Sequence, residues 1–114
     1  MAAINIDLIF DAAIRIQLLE EKSVSISFTE DEVRIKFPTT RRLAEFLDVP
    51  HYYVLPYFAM MEEQGLVTRA ERVGVMTSAS GTKKFVSTMA AGYRETAEKI
   101  LGPAIFRDLR ERVP

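Results

Sequence analysis

The stretch Leu43-Ala44-Glu45-Phe46-Leu47-Asp48-Val49-Pro50, followed by Val54, Phe58, Met61 and then Gly65-Leu66-Val67, constrains the fold more than any other part of the chain. Leu43 and Leu47 lie one helical turn apart, and Val54, Phe58 and Met61 repeat at i, i+4 and i+7, the stripe that a helix buries. Pro50 suits the first position of a helix, because its missing N–H would have no partner there anyway. Gly65 supplies a left-handed helix end. Leu66-Val67 then opens an extended run. The pattern predicts two helices crossing at a tight turn, the second leading into a strand.

The neighbouring residues extend that unit. Pro38 breaks whatever precedes it, and Thr39 or Thr40 can cap the first helix, Arg41–Leu47, by accepting a free N–H of the first turn. Ala44 allows a close helix crossing, with Leu43, Leu47 and Val49 pointing inward. The second helix runs from Pro50 to Gln64. Pro56 within it deletes a hydrogen bond and predicts a kink. Leu66–Glu71 and Val75–Thr77 read as paired strands, with Arg72-Val73-Gly74 near their tip. Ser78 or Ser80 can cap a long helix from about Thr82 to Leu101, stopped by Gly102-Pro103. A last amphipathic turn sends Ile105, Phe106 and Leu109 inward and Arg107, Arg110 and Arg112 outward.

Upstream, Val24, Ile26 and Phe28 alternate with serines, and Val33, Ile35 and Phe37 alternate with Arg34 and Lys36. The polar run Thr29-Glu30-Asp31-Glu32 separates them, so residues 23–37 read as a β-hairpin with one apolar face on each strand. Its acidic tip repels phosphate. Before the hairpin, Ile4, Ile6, Leu8 and Phe10 alternate like a strand. The alanines and the length favour a helix instead, over Asn5 to Lys22, with Asn5 or Asp7 as N-cap. That helix is apolar nearly all round, which predicts burial on more than one side. In a chain this small, a second copy is the expected cover.

The 114 residues make one domain, 1–114, and a hydrophobic content of 48% suffices for one core. The net charge of −1 hides an asymmetry: residues 1–33 carry seven acids and two bases (net −5), and residues 34–114 nine acids and thirteen bases (net +4). Cysteine is absent, which excludes disulfides, thiolate metal sites and a cysteine nucleophile. A single histidine is no metal site. No glycine-rich phosphate loop occurs, and the adjacent pairs Glu20-Glu21 and Glu62-Glu63 point apart on a helix. We therefore expect no catalytic residues, no metal, no cofactor and no enzyme activity. No apolar run approaches the ~18 residues of a membrane span, and no basic region precedes the first apolar residues. The expectation is a soluble, cytoplasmic protein that does not bind membranes.

With these elements in place, the chain resembles the winged helix-turn-helix transcriptional regulators, most closely the PadR-like and MarR-like families. Leu55-Pro56-Tyr57-Phe58-Ala59-Met60-Met61-Glu62-Glu63-Gln64-Gly65-Leu66-Val67 has the proline-to-glycine spacing of the PadR-like recognition helix. Ser78-Ala79-Ser80-Gly81 is similar to the Thr-x-x-Gly segment that opens the last helix in those families. The likeness covers roughly residues 39–101. It implies an α+β fold: a winged helix-turn-helix domain, mainly helical, with an extra N-terminal β-hairpin and long terminal helices. Its parts would be an N-terminal helix (1–22), the hairpin (23–37), the helix-turn-helix (39–64), the wing (66–77) and a C-terminal helix (82–101).

The resemblance also implies a transcriptional regulator that binds double-stranded DNA as a homodimer joined through its N- and C-terminal helices. Two recognition helices would then meet successive grooves about 34 Å apart. Thr40, Arg41 and Arg42 would lie on phosphates, His51, Tyr52 and Tyr53 on bases, Arg69 and Arg72 on the wing, and Lys83 at the start of the last helix. Glu71 shares a strand face with Arg69 and would neutralise it, leaving Arg72 freer. The chain departs from the families in its longer hairpin and short wing. It also departs in a recognition helix with no Arg, Lys, Asn or Gln before Gln64, the residues that read base edges. The alternative is a non-catalytic winged-helix module for protein–protein interaction, using the apolar His51–Pro56 face. A small-molecule effector, held in a cleft between dimer helices, has no residue pattern behind it.

Overall fold

Asn5 starts the first helix by accepting the Leu8 N–H at 2.7 Å, so α1 spans Ile6–Arg15. The structure, a computed structural model, describes residues 4–70 and 72–113. The helix expected over residues 5–22 is not uniform. After α1 it widens into a π stretch, Ile16–Glu21, which closes at Lys22 with φ 54°. Within it Gln17 donates Nε2 to the Lys36 carbonyl at 2.7 Å, tying the stretch to the chain beyond the hairpin.

Most apolar residues of α1 are covered inside this one chain, with Ile6 and Leu8 only partly buried. Ile9, Phe10, Ala12, Ala13 and Ile14 are buried, and α1 packs on α2 (Thr40–Leu47) and α4 (Ala79–Gly92). A second copy is not needed to cover them. Four phenylalanines organise the surrounding core in edge-to-face pairs. Phe37 is central, with ring centroids 5.2 Å from Phe10, 5.8 Å from Phe58 and 6.4 Å from Phe85.

The first hairpin pairs β1 (Ile26–Phe28) antiparallel with β2 (Val33–Ile35), in the register Ile26↔Ile35 and Phe28↔Val33. Only β2 buries its apolar side. Val33 and Ile35 are in the core, whereas Phe28 is exposed beneath the Arg112 guanidinium, 5.4 Å from its ring centroid. The second hairpin pairs β3 (Val67–Ala70) with β4 (Gly74–Thr77), with Val67 opposite Thr77 and Ala70 opposite Gly74. A bridge between Lys36 and Met76 joins the two hairpins, and the Phe37 N–H donates to the Val75 carbonyl at 2.8 Å. Glu71, expected to face Arg69, lies outside the described residues.

Two buried threonines fasten this junction to α4. The Ile35 N–H donates to Thr77 Oγ1 at 2.9 Å, Thr77 Oγ1 lies 2.6 Å from Thr82 Oγ1, and Thr82 Oγ1 donates to the Val33 carbonyl at 2.6 Å. One consistent set of protons runs along the chain: Thr77 accepts from β2 and donates to Thr82, and Thr82 donates back to β2.

The helical pair in the middle differs from expectation in its joint. Thr39, not Thr40, is the cap of α2, accepting the Arg42 N–H at 3.0 Å. Pro50 leads into a single 3-10 turn, His51–Tyr53, and α3 begins only at Leu55 and ends at Glu63. The single helix expected from Pro50 to Gln64 is therefore broken. Pro56 is the second residue of α3, where no N–H partner exists to lose, so it starts the helix rather than kinking it. Val54, Phe58 and Met61 form the buried stripe. Gly65 has φ 73°, the left-handed end its position called for.

Ser78 caps α4, which starts at Ala79, three residues before the expected Thr82. The expected helix 82–101 also breaks, at Tyr93. α5 covers Arg94–Leu101 and α6 covers Pro103–Arg112, with Gly102 between them at φ 88°. Tyr93 is anchored to α1 from both sides: its hydroxyl donates to Asp11 Oδ1 at 2.6 Å and accepts from Arg15 Nε at 2.7 Å. Phe106 and Leu109 point inward as expected, but Ile105 is 45% exposed, one position off their stripe. No helix is long and apolar enough to cross a membrane among the described residues.

Candidate functional site

The residues expected on DNA divide into two groups once their partners are known. Thr40 and His51 are tied to each other, Oγ1 to Nε2 at 2.6 Å, and this contact clamps the first turn of α2 to the 3-10 turn. Arg42 is ion-paired with Glu20 at the end of the π stretch. Arg69 is ion-paired with Glu62 of α3 at 2.9 Å, the role expected of Glu71. Arg41, Arg72 and Lys83 are exposed and make no ion pair among the described residues. Lys84, next to Lys83, instead pairs with Asp7 and lies 5.6 Å from the Phe10 ring centroid.

The local charge is acidic. Between residues 39 and 64 the bases are Arg41 and Arg42 and the acids are Glu45, Asp48, Glu62 and Glu63, a net of −2. Arg41 and His51 share a shallow pocket with Glu45 and Asp48. A phosphate approaching Arg41 meets two carboxylates at the same place. Phosphate binding needs the opposite balance.

Tyr52 and Tyr53 are 66% and 49% exposed, with their rings in an edge-to-face pair 4.9 Å apart. They line an open groove of about 920 Å³, together with Leu8 of α1, Leu47 of α2, and Tyr57 and Met60 of α3. Among the described residues that line it, Asp48 is the one that carries a charge. Among the described residues, eight large apolar side chains are exposed, and Tyr52, Tyr53, Leu55 and Met60 account for four of them within one nine-residue window. Scattered exposed hydrophobics are ordinary; Tyr52, Tyr53 and Met60 differ in sharing one groove, whose lining does not include Leu55.

The sequence pointed to Tyr52 and Tyr53 but missed Leu8, Leu47 and Met60. Leu8 carried a signal, since it lies on the side of the first helix facing away from Phe10. Met60 lies off the Val54, Phe58 and Met61 stripe, which marks it as outside the core, but nothing local joined it to Leu8 and Leu47.

Compared with known proteins, the chain matches no family model, no curated protein and no solved structure.

Proposed function

We propose that this protein is a winged-helix domain that docks an apolar helix of a partner protein in its tyrosine-lined groove, without catalysis. Element order supports the winged-helix reading. Helix α1, a two-stranded hairpin, the helices α2 and α3, a second hairpin and α4 follow in sequence, and Lys36, just after β2, meets β4 through its bridge to Met76. The observation that carries the docking reading is the groove itself. It takes in Tyr52 and Pro56, which the winged-helix reading would put on the exposed side of its recognition helix, and it offers tyrosine, leucine and methionine rather than the guanidinium and amide groups that read bases. Tyrosine is the residue most at home in such a seat, because it packs a rigid ring and keeps a hydroxyl for the rim.

The partner fitting this groove is an amphipathic helix with apolar anchors at i, i+3 or i+4, and i+7, carrying Lys or Arg beside them to face Asp48 and Glu45. Selection from a displayed library of helices would test this. The expected winners carry that pattern and lose at least about tenfold in affinity against Tyr52→Ala, a hot-spot-sized loss. Arg41→Ala leaves them unchanged. A library that yields no such binder, or binders indifferent to Tyr52, would sink the docking reading.

A second reading keeps duplex DNA as the partner of a homodimer. It draws on Arg41, Arg72 and Lys83, the three expected contacts that have no acidic partner among the described residues. Fluorescence anisotropy of labelled genomic fragments at several salt concentrations separates the two. Submicromolar binding that weakens steeply with salt and is lost in Arg41→Ala favours DNA. Absence of binding at low salt leaves the groove as the working surface.

A further inference from the structure

Among the residues lining the tyrosine groove, Asp48 breaks two local rules. It is the C-cap of α2 with φ 56°, a left-handed position that glycine or asparagine fills most readily. It also places a negative charge at the carbonyl end of a helix, where the macrodipole disfavours one. No basic residue in the last turn of α2 offsets that charge. Asp48 forms no ion pair among the described residues. Arg41 lines the shallow pocket beside it, with Glu45, and pairs with neither carboxylate. Local rules broken without a compensating contact are expected at functional positions.

The tyrosine rings that share the groove with Asp48 call for the same sign of charge. Elsewhere in the chain four aromatic rings carry a cation: Tyr93 under Arg15 at 5.8 Å, Phe10 under Lys84 at 5.6 Å, Phe106 under Arg110 at 5.7 Å and Phe28 under Arg112 at 5.4 Å. Among the described residues no cation lies over Tyr52, Tyr53 or Tyr57, although all three line the groove. The first of the four contacts is also an ion pair, since Arg15 rests on Tyr93 while its Nε lies 2.9 Å from Asp11. Asp48 and the exposed tyrosines bring the same carboxylate and rings into one groove, without the guanidinium.

We propose that the groove seats an arginine of the partner's helix, its guanidinium stacked on the Tyr52–Tyr53 pair and paired with Asp48. This rests on the docking reading and names the residue that the partner presents. Arginine suits the seat better than lysine. Its planar, weakly hydrated guanidinium lies flat on a ring and still gives two N–H groups to a carboxylate, whereas an ammonium is a strongly hydrated point charge. Leu8, Leu47 and Met60 take the apolar anchors on either side.

The test is a parallel selection from one displayed helix library against the full chain and against its Asp48→Asn variant. Binders of the unaltered chain are expected to carry an arginine at one fixed place beside the apolar anchors, and binders of the variant to lose that enrichment. The tightest binder, made as a dye-labelled peptide, should lose about tenfold in affinity when citrulline replaces the arginine, keeping its shape without its charge. Lysine there should recover only part of the loss. Against Asp48→Asn the same loss should shrink to about threefold, the part owed to the rings. Asparagine suits the left-handed cap and lifts the charge from the helix end. The variant's denaturant midpoint should therefore match or exceed that of the unaltered chain, so misfolding does not imitate the result. Binders without an arginine, or a tenfold loss that persists against Asp48→Asn, overturn the seat and leave the docking reading in place. No binder at all overturns both.

Discussion

Gly81 and Gly65 are glycines for different physical reasons, and substitution separates them. A Cβ at Gly81 would collide with the backbone carbonyl of Leu66, which receives the Ser78 N–H at 2.9 Å and cannot move aside freely. Gly81→Ala should cost about 2–3 kcal/mol through overpacking, visible as a lower denaturant midpoint. Around Gly65 the space is open, and only its φ of 73° resists a side chain. Gly65→Ala should cost about 1 kcal/mol. Equal losses at the two positions would contradict this distinction. The threonine chain makes a second prediction at the same scale. Thr77→Val leaves the buried Ile35 N–H without its 2.9 Å acceptor, at a cost of about 1–3 kcal/mol. Because Thr77 and Thr82 act in series, the double variant Thr77→Val/Thr82→Val should lose less than the two single losses added together. Strict additivity in equilibrium unfolding would mean that the two hydroxyls work independently.

At the level of elements, the joint between α2 and α3 was only half legible. The burial of Val54, Phe58 and Met61 followed from spacing alone. The 3-10 turn did not, because it depends on a contact across the joint, Thr40 to His51, that no local pattern encodes. Pro56 was misjudged for the same reason: a proline reads as interior until the true helix start is known. Pro56→Ala should consequently change stability by less than about 1 kcal/mol, far below the ~3 kcal/mol tied to a proline in a helix interior. A large gain in midpoint would place Pro56 inside a strained helix after all. The break between α4 and α5 was likewise invisible, since Tyr93 keeps the helical spacing while its hydroxyl is held by Asp11 and Arg15 of α1. Burial, and then the hydrogen bond to Asp11, push the Tyr93 phenol above its ordinary value. The folded protein therefore holds the Tyr93 proton more tightly than the unfolded chain. The resulting stabilisation is fully present below the ordinary tyrosine range near pH 10 and is lost as pH rises through the higher folded value. Alkaline titration of the unfolding midpoint should show that loss, and Tyr93→Phe should remove this part of the pH dependence.

For the whole molecule, α1 packs on both α2 and α4, and Phe10 is its largest buried side chain. Phe10→Ala should cost about 3–5 kcal/mol, a large share of the roughly 5–15 kcal/mol that holds a domain together. Near-UV circular dichroism and the urea midpoint would report the loss together, and a well-packed variant with an unchanged midpoint would show that Phe10 is not central. Burial on several sides of α1 was legible in its composition. What would bury it was not, since the same apolar excess is satisfied equally well by a second copy or by α2 and α4. Local spacing and chemistry were enough to mark the apolar stripes and the glycine end at Gly65 and to narrow each cap to two residues, Asn5 or Asp7, Thr39 or Thr40, and Ser78 or Ser80. Asn5, Thr39, Gly65 and Ser78 all act within a few residues of themselves. Tertiary structure alone decided which charges are already spent, as in Arg42 with Glu20 and Arg69 with Glu62. It alone gathered Leu8, Leu47, Tyr52, Tyr53 and Met60 into one groove. Both outcomes depend on residues far apart in sequence meeting in space, and periodicity along a chain carries no information about such meetings.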